Sequence, residues 1–261
     1  MKHYETITLA RLDSIAVIEL NRPQAANCIN EAMAAELAYI TNAIDADQTI
    51  RAVVLTAEGK FFCAGGDVKA MSTFAEKTTE KIKHLADDAH RAISALARMR
   101  APVIVAVNGV AAGGGLGLAM AGDLVLAVES ATFTTAYTRA GLSPDGSTTY
   151  FLPRYIGLRR LQEMLFTNRV LSAQEALDWG MVTKVVPDSA LRTEALALAR
   201  MLAEGPLSSH ASIKQLLLTS FQNGLETQME IEGRLIASAA GSPDGQEGIR
   251  AFVERRAPRF G

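Results

Sequence analysis

Cysteine is scarce in this chain of 261 residues: Cys28 and Cys63 are the only two, and they form no C-x-x-C pair. That excludes a disulfide framework and a thiolate metal centre, and it points to a reduced, cytoplasmic setting. The four histidines, His3, His84, His90 and His210, make no H-x-x-x-H or His/Cys cluster, so no metal is expected. An excess of one charge is missing as well. Lys and Arg number 26 against 28 Asp and Glu, interspersed along the chain, for a net charge of −2. Such a balance builds neither a nucleic-acid stripe nor a polybasic membrane face. No apolar run approaches the ~20 residues of a membrane span. The opening Met1-Lys2-His3-Tyr4-Glu5-Thr6 lacks the apolar segment of a secretion signal. Internal repeats and low-complexity tracts are absent too.

Hydrophobic residues make up 49% of the sequence, enough for one large domain or a core with an appendage. Residues 5–20 alternate like a β-hairpin, with Ile7 and Leu9 before a turn near Arg11-Leu12-Asp13-Ser14 and Ile15 to Leu20 after it. Asn30 is placed to cap a helix over 31–45 whose apolar face carries Met33, Leu37, Ile40 and Ile44. Val53 to Thr56 is a central type of strand, and Phe61-Phe62-Cys63-Ala64-Gly65-Gly66-Asp67 leads from an apolar run through glycines to a helix start at Asp67. A helix over 76–98 follows, carrying Ile82, Leu85, Ala86, Ala89, Ile93 and Leu96 at helical spacing. Val103 to Val107 is a buried strand that turns through Asn108-Gly109, crosses Gly113-Gly114-Gly115 and becomes helix-friendly from Leu116; Asp123 to Val128 is the next strand. Strands alternating with helices define an α/β layered fold. Beyond Pro187 the chain turns helical, over 188–204, 207–221, 225–239 and 246–256, with breaks at Gly205-Pro206, Asn223-Gly224 and Ser242 to Gly245.

The glycine stretch 109–117 fails two tests. A P-loop needs Lys-Ser/Thr where Gly115-Leu116 stand, and a dinucleotide fingerprint needs G-x-G-x-x-G where Gly113, Gly115 and Gly117 give G-x-G-x-G. Two uses remain open: close helix–strand packing, and an oxyanion hole in which a backbone N–H meets a carbonyl oxygen that turns negative during reaction.

Phe61 to Asp67, taken with Asn108 to Gly115, resembles the crotonase superfamily of enoyl-CoA hydratases and isomerases. Asn21-Arg22-Pro23, Leu171 to Ala176 and Trp179-Gly180-Met181-Val182 fit the same pattern, and the likeness runs from about residue 5 to the C-terminus. It implies a crotonase (ClpP-like) spiral of ββα units over residues 1–190 and a helical C-terminal trimerisation region over 191–261. The assembly implied is a homotrimer or a hexamer built as a dimer of trimers. The implied partner is an acyl-CoA thioester, with coenzyme A as part of the substrate and no separate cofactor. The implied setting is fatty acid metabolism or aromatic degradation. The resemblance assigns the oxyanion hole to the N–H groups of Ala64 and Gly114. It lines the CoA channel with Arg22, Ala25 and Asn27 on one side and Ala64, Gly65, Gly66, Asp67 and Val68 on the other.

Hydratases of this family use two glutamates, at the positions held here by Gly117 and Tyr137. With both carboxylates missing, the usual two-acid addition of water is not expected. Isomerases that shift a double bond from position 3 to position 2 carry one carboxylate in the loop that is Gly141-Leu142-Ser143-Pro144-Asp145-Gly146 here, and Asp145 matches it. A base lodged among apolar groups there would be tuned toward neutral pH. Ser-Pro-Asp-Gly also makes an ordinary turn, and the same four letters recur at 242–245.

His90 reads either as a half-buried helix residue or as the water-activating histidine of 4-chlorobenzoyl-CoA dehalogenase, a family member that carries a histidine and a nucleophilic aspartate at these places. That hydrolytic reading, with Asp145 and His90, is the alternative; the departure from it is Tyr137, whose phenol stands where the dehalogenase has a tryptophan N–H holding the aspartate. A non-catalytic, RNA-binding or scaffold member is an alternative of another class, opposed by the near-neutral charge. Cys63, Phe166 and Trp179 read as packing residues, and Arg255, Arg256 and Arg259 as a solvated end or a reach to CoA phosphates on a neighbouring subunit.

Overall fold

The computed structural model describes residues 4–261, so Met1 to His3 of the N-terminal reading lie outside the described residues. β1 (Ile7–Leu12) and β2 (Ile15–Leu20) form the expected antiparallel hairpin, register Ile7 with Leu20 and Leu12 with Ile15. Asn30 caps α1 (Glu31–Ala46) by accepting from the Met33 N–H at 2.9 Å, and the stripe Met33, Leu37, Ile40, Ile44 is buried as its spacing requires.

From there each pair of short strands sends its first member to one sheet and its second to another. β3 (Ala52–Ala57) is followed by β4 (Phe61–Cys63), α2 (Val68–Met71) and α3 (Thr78–Arg98). β5 (Val103–Val107) is followed by β6 (Val110–Ala112) and α4 (Gly114–Met120). β7 (Leu124–Val128) is followed by β8 (Thr132–Thr134), α5 (Thr148–Ile156) and α6 (Leu158–Thr167). β9 (Leu171–Ser172), α7 (Ala173–Asp178) and β10 (Lys184–Val186) close the sheets. The larger sheet runs β1-β2-β3-β5-β7-β10, parallel from β2 onward; the smaller runs β4-β6-β8-β9, with β9 antiparallel. Repeating strand, strand, helix in this way winds the chain into the expected spiral of ββα turns. Val103 to Val107 is fully buried, as a run of branched residues in a parallel sheet should be.

The helices after Pro187 divide into two kinds. α8 (Leu191–Ala203) lays Leu191, Ala195, Ala199 and Ala203 against the larger sheet and is part of the core layer. α9 (Leu207–Thr219), α10 (Leu225–Gly241) and α11 (Pro243–Val253) lie beyond it. Lys214 ties α9 down: its buried ammonium meets Asp123 Oδ2 at 2.6 Å and the carbonyls of Leu96 and Ala101 at 3.0 and 3.3 Å. α11 begins three residues before the expected 246, because Ser242 caps it and Pro243 is a first-turn residue rather than part of a break.

Candidate active site

The spiral brings the two glycine segments side by side. They follow β4 and β6, neighbours in the smaller sheet, so both leave it at the same edge. Gly65, at φ +99°, lets the first loop lie so close to the second that a Cβ built on it would sit 3.5 Å from the Gly114 nitrogen.

Which N–H groups are free decides what the loops can hold. The Ala64 N–H already donates to the Ala26 carbonyl at 3.1 Å. Ile29 N–H donates to Gly65 O at 2.8 Å and Asp67 N–H to Ile29 O at 2.9 Å, a parallel bridge that turns the intervening Gly66 N–H the other way. Among the described residues, Gly66 N–H has no intramolecular acceptor. Gly114 is the first residue of α4, where N–H groups have no intrahelical partner. The open donors are therefore Gly66 and Gly114, and the expected donor Ala64 is engaged in holding its loop. Nothing in the letters separates Ala64 from Gly66; the difference arises from pairing with Ile29.

The opposite wall is built by charge and amide bonds. Arg22 pairs with Asp67 at 3.0 Å and donates to the Cys28 carbonyl. Burial alone would raise the Asp67 carboxyl, but the Ala70 N–H and the Arg22 guanidinium outweigh it and hold it below the usual carboxylate range. Asp67 also caps α2 through the same Ala70 N–H, as the sequence predicts. Asn27 is wholly buried; its amide donates to the carbonyls of Glu58 and Phe61 and its oxygen accepts from Arg22 N–H. Its side chain clips the 22–27 turn to the β3–β4 connection and is closed to a ligand, contrary to its expected place in the channel. Ala25 lies on the same turn.

A cavity of about 530 Å³ opens beside the free N–H groups. Ala64, Gly65, Gly66, Val68, Gly113, Gly114, Tyr137 and Asp145 line it, whereas Arg22, Ala25, Asn27 and Asp67 do not. The rest of the wall is largely aliphatic, from Ile29, Met71, the Ile82, Leu85 and Ile93 stripe of α3, and Leu142. Among the described residues lining it, Asp145 is the one carboxylate. A Cβ built on Gly114 would lie 3.8 Å from Asp145 Oδ1, so the carboxylate borders the open N-terminus of α4. Asp145 is not lodged in an apolar niche, however: its side chain is 43% exposed. The first of the hydratase carboxylate positions is closed outright, since a Cβ on Gly117 would overlap the Gly146 carbonyl.

Tyr137 is buried, and its hydroxyl donates to the main-chain carbonyl of Asp145 at 3.1 Å while sharing a bond with Thr148 Oγ1 at 3.1 Å. Burial and then the nearby Asp145 carboxylate push the phenol up, keeping it a donor at neutral pH. Thr148 was not singled out by sequence; its placement depends on α5 starting there. His90, its side chain 45% exposed, accepts from the Gly146 N–H through Nε2 at 3.1 Å and lies 3.9 Å from Asp145 Oδ2.

Cys63 is fully buried, and burial pushes its thiol up to about 12, which fits inert packing. Phe166 is 80% exposed in this chain, against its expected place in the core. Trp179 packs on the core with the guanidinium groups of Arg160 and Arg169 over its ring. Arg256 pairs with Glu247 and Glu254, folding the basic end back on α11. No helix among the described residues is long and apolar enough to cross a membrane, and no cluster of metal-ligating side chains occurs among them.

Two interleaved sheets wound as ββα turns, with paired glycine loops at one edge, define a crotonase-type protein. A family model described as enoyl-CoA hydratase/isomerase matches residues 11–261, and the chain belongs to that family. It is 38% identical over 250 residues to 1,2-epoxyphenylacetyl-CoA isomerase of Escherichia coli (strain K12), covering 94% of each chain. It is 32% identical over 247 residues to 4-chlorobenzoyl coenzyme A dehalogenase-2 of Arthrobacter sp, covering 94% of this chain and 90% of that one. The crystal structure of an enoyl-CoA hydratase from Polaromonas sp. JS666 superposes with a TM-score of 0.93 at 32% identity, covering 98% of this chain and 99% of the other.

Proposed function

We propose that this protein is an acyl-CoA isomerase that moves a double bond from position 3 to position 2 of an enoyl-CoA. The observation that carries the reading is the lone Asp145 carboxylate beside Gly114, with the Gly117 position closed by Gly146. One carboxylate suffices for such a shift. Asp145 takes the proton from C2, and the electron pair moves toward the thioester carbonyl to give a dienolate. The N–H groups of Gly66 and Gly114 hold its oxygen, each such donor being worth ~3 kcal/mol at the transition state. The carboxylic acid then returns the proton at C4, leaving the double bond between C2 and C3. Its exposure gives the carboxylate an open path from solvent; the aliphatic wall takes the acyl group, chain or ring. Assembly as a trimer or a pair of trimers suits the exposed Leu217, Ile236 and Phe252 on α9, α10 and α11 and Phe221 between α9 and α10.

The hydrolytic reading draws on the 3.9 Å approach of His90 to Asp145. Against it, the imidazole nitrogen that would take a proton from water is already accepting the Gly146 N–H. Turnover of 3-hexenoyl-CoA by the wild type and by Asp145→Asn tests the proposal. Formation of the 2-enoyl isomer that vanishes in the variant supports it; no isomer from the wild type, with chloride released from 4-chlorobenzoyl-CoA instead, refutes it.

A further inference from the structure

Gly146 and Ser147 both sit in left-handed backbone conformations, at φ +57° and +62°, and for Ser147 that conformation carries strain. A segment of this kind keeps its shape only if its surroundings hold it. Three contacts from elsewhere in the chain hold it. Tyr137 OH donates to Asp145 O, Gly146 O abuts Gly117, and Gly146 N–H donates to His90 Nε2 at 3.1 Å. The first two do not change with pH near neutrality. The third depends on the ring's protonation, because only a neutral imidazole with its proton on Nδ1 can accept through Nε2.

We propose that His90 is a positioning residue, a protonation-sensitive latch that holds the Asp145 loop in its working shape through the Gly146 amide; this rests on the isomerase reading of Asp145. On protonation Nε2 becomes a donor. It releases and repels the Gly146 N–H, and Asp145 Oδ2 stands 3.9 Å away as an acceptor. One proton therefore loosens the loop and draws the base into an ion pair. From the loop, Asp145 is the titratable group that faces the ring; on α3 itself Asp87 stands one turn back and Arg91 follows in sequence.

The test uses His90→Gln, whose amide oxygen can accept without titrating, and His90→Leu, which cannot accept. Exchange of the Gly146 amide proton is followed by NMR, beside kcat and KM for 3-hexenoyl-CoA across pH. In His90→Leu, Gly146 exchange is expected to quicken by about tenfold or more and kcat to fall on the order of tenfold to a hundredfold, with KM little changed. In the wild type, kcat is expected to fall when acid protonates His90; in His90→Gln that part of the fall disappears and the neutral-pH rate largely returns. Gly146 exchange and pH profile both unchanged in His90→Leu would overturn the latch. Should the wild type show no isomerase turnover while Gly146 exchange still responds to the variants, the latch stands and the reading of the reaction fails.

Discussion

Ser143-Pro144-Asp145-Gly146 and Ser242-Pro243-Asp244-Gly245 share their four residues and almost nothing else. In the second, Ser242 caps α11 by accepting the Gly245 N–H at 3.1 Å, Pro243 opens the helix, and Asp244 lies in its first turn. In the first, the corresponding N–H, that of Gly146, goes to His90, a residue 56 positions away. The helix that follows begins only at Thr148, after the left-handed Gly146 and Ser147. A local acceptor makes a helix start; a distant one keeps the same residues as a loop. That loop can then carry a carboxylate beside the N-terminus of α4.

Exchanging the functional group in each copy separates them most strongly. Asp145→Asn removes the one carboxylate among the described residues lining the cavity and is expected to lower kcat by roughly 10²- to 10⁴-fold. Asp244→Asn should leave kcat within about twofold of wild type, since its carboxylate lies outside the cavity, in the first turn of α11, where it accepts the Gly261 N–H at 3.3 Å. Steady-state kinetics on both variants reads the contrast.

Crowding the two glycine contacts comes next. A Cβ on Gly117 overlaps the Gly146 carbonyl, so Gly117→Ala must displace the Asp145 loop and should cost about a hundredfold in kcat. A Cβ on Gly245 overlaps the Ala239 carbonyl, and Gly245→Ala should lower Tm with kcat unchanged. Melting curves beside rate measurements distinguish the two outcomes.

Smaller still is the effect of the serines. Ser242→Ala removes a cap and should cost about 1 kcal/mol of stability by denaturant titration. Ser143→Ala removes no cap and should change stability by less than about 0.5 kcal/mol. Acid sharpens the same contrast at the end of the chain. Arg256 and the Arg259 N–H hold the Glu247 carboxyl down at about 2, from an ordinary 4.5. A depressed carboxyl stabilises the fold above its unfolded value and loses that contribution as pH falls, here from about 4.5 toward about 2. The Arg259 amide shift, followed by NMR across that window, should move as Glu247 is protonated in the wild type and stay flat in Glu247→Gln.

The elements of the spiral were legible because each rests on a local rule: the alternation of β1 and β2, the Asn30 cap, the Asp67 cap, the buried run 103–107. Asp145 was legible by its position after the Gly114 loop. What failed to show depended on partners distant in sequence. Ala64 and Gly66 look alike until Ile29 pairs between them, and Asn27 resembles a channel residue until its amide meets Glu58 and Phe61. Phe166 has a core residue's chemistry but sits on the outward side of α6 in this chain. The expected helix at 246 began early because Ser242-Pro243 is as good a helix entry as it is a turn.

The most direct test of a one-carboxylate site is the mass of its product. Supplied with 3-hexenoyl-CoA and, separately, with 2-hexenoyl-CoA, the wild type should convert the first to the second with no change in mass and add nothing to either. A product heavier by one water, formed from 2-hexenoyl-CoA at a rate comparable to the isomerisation, would contradict the account, because it would require the second acid that Gly117 and Gly146 exclude.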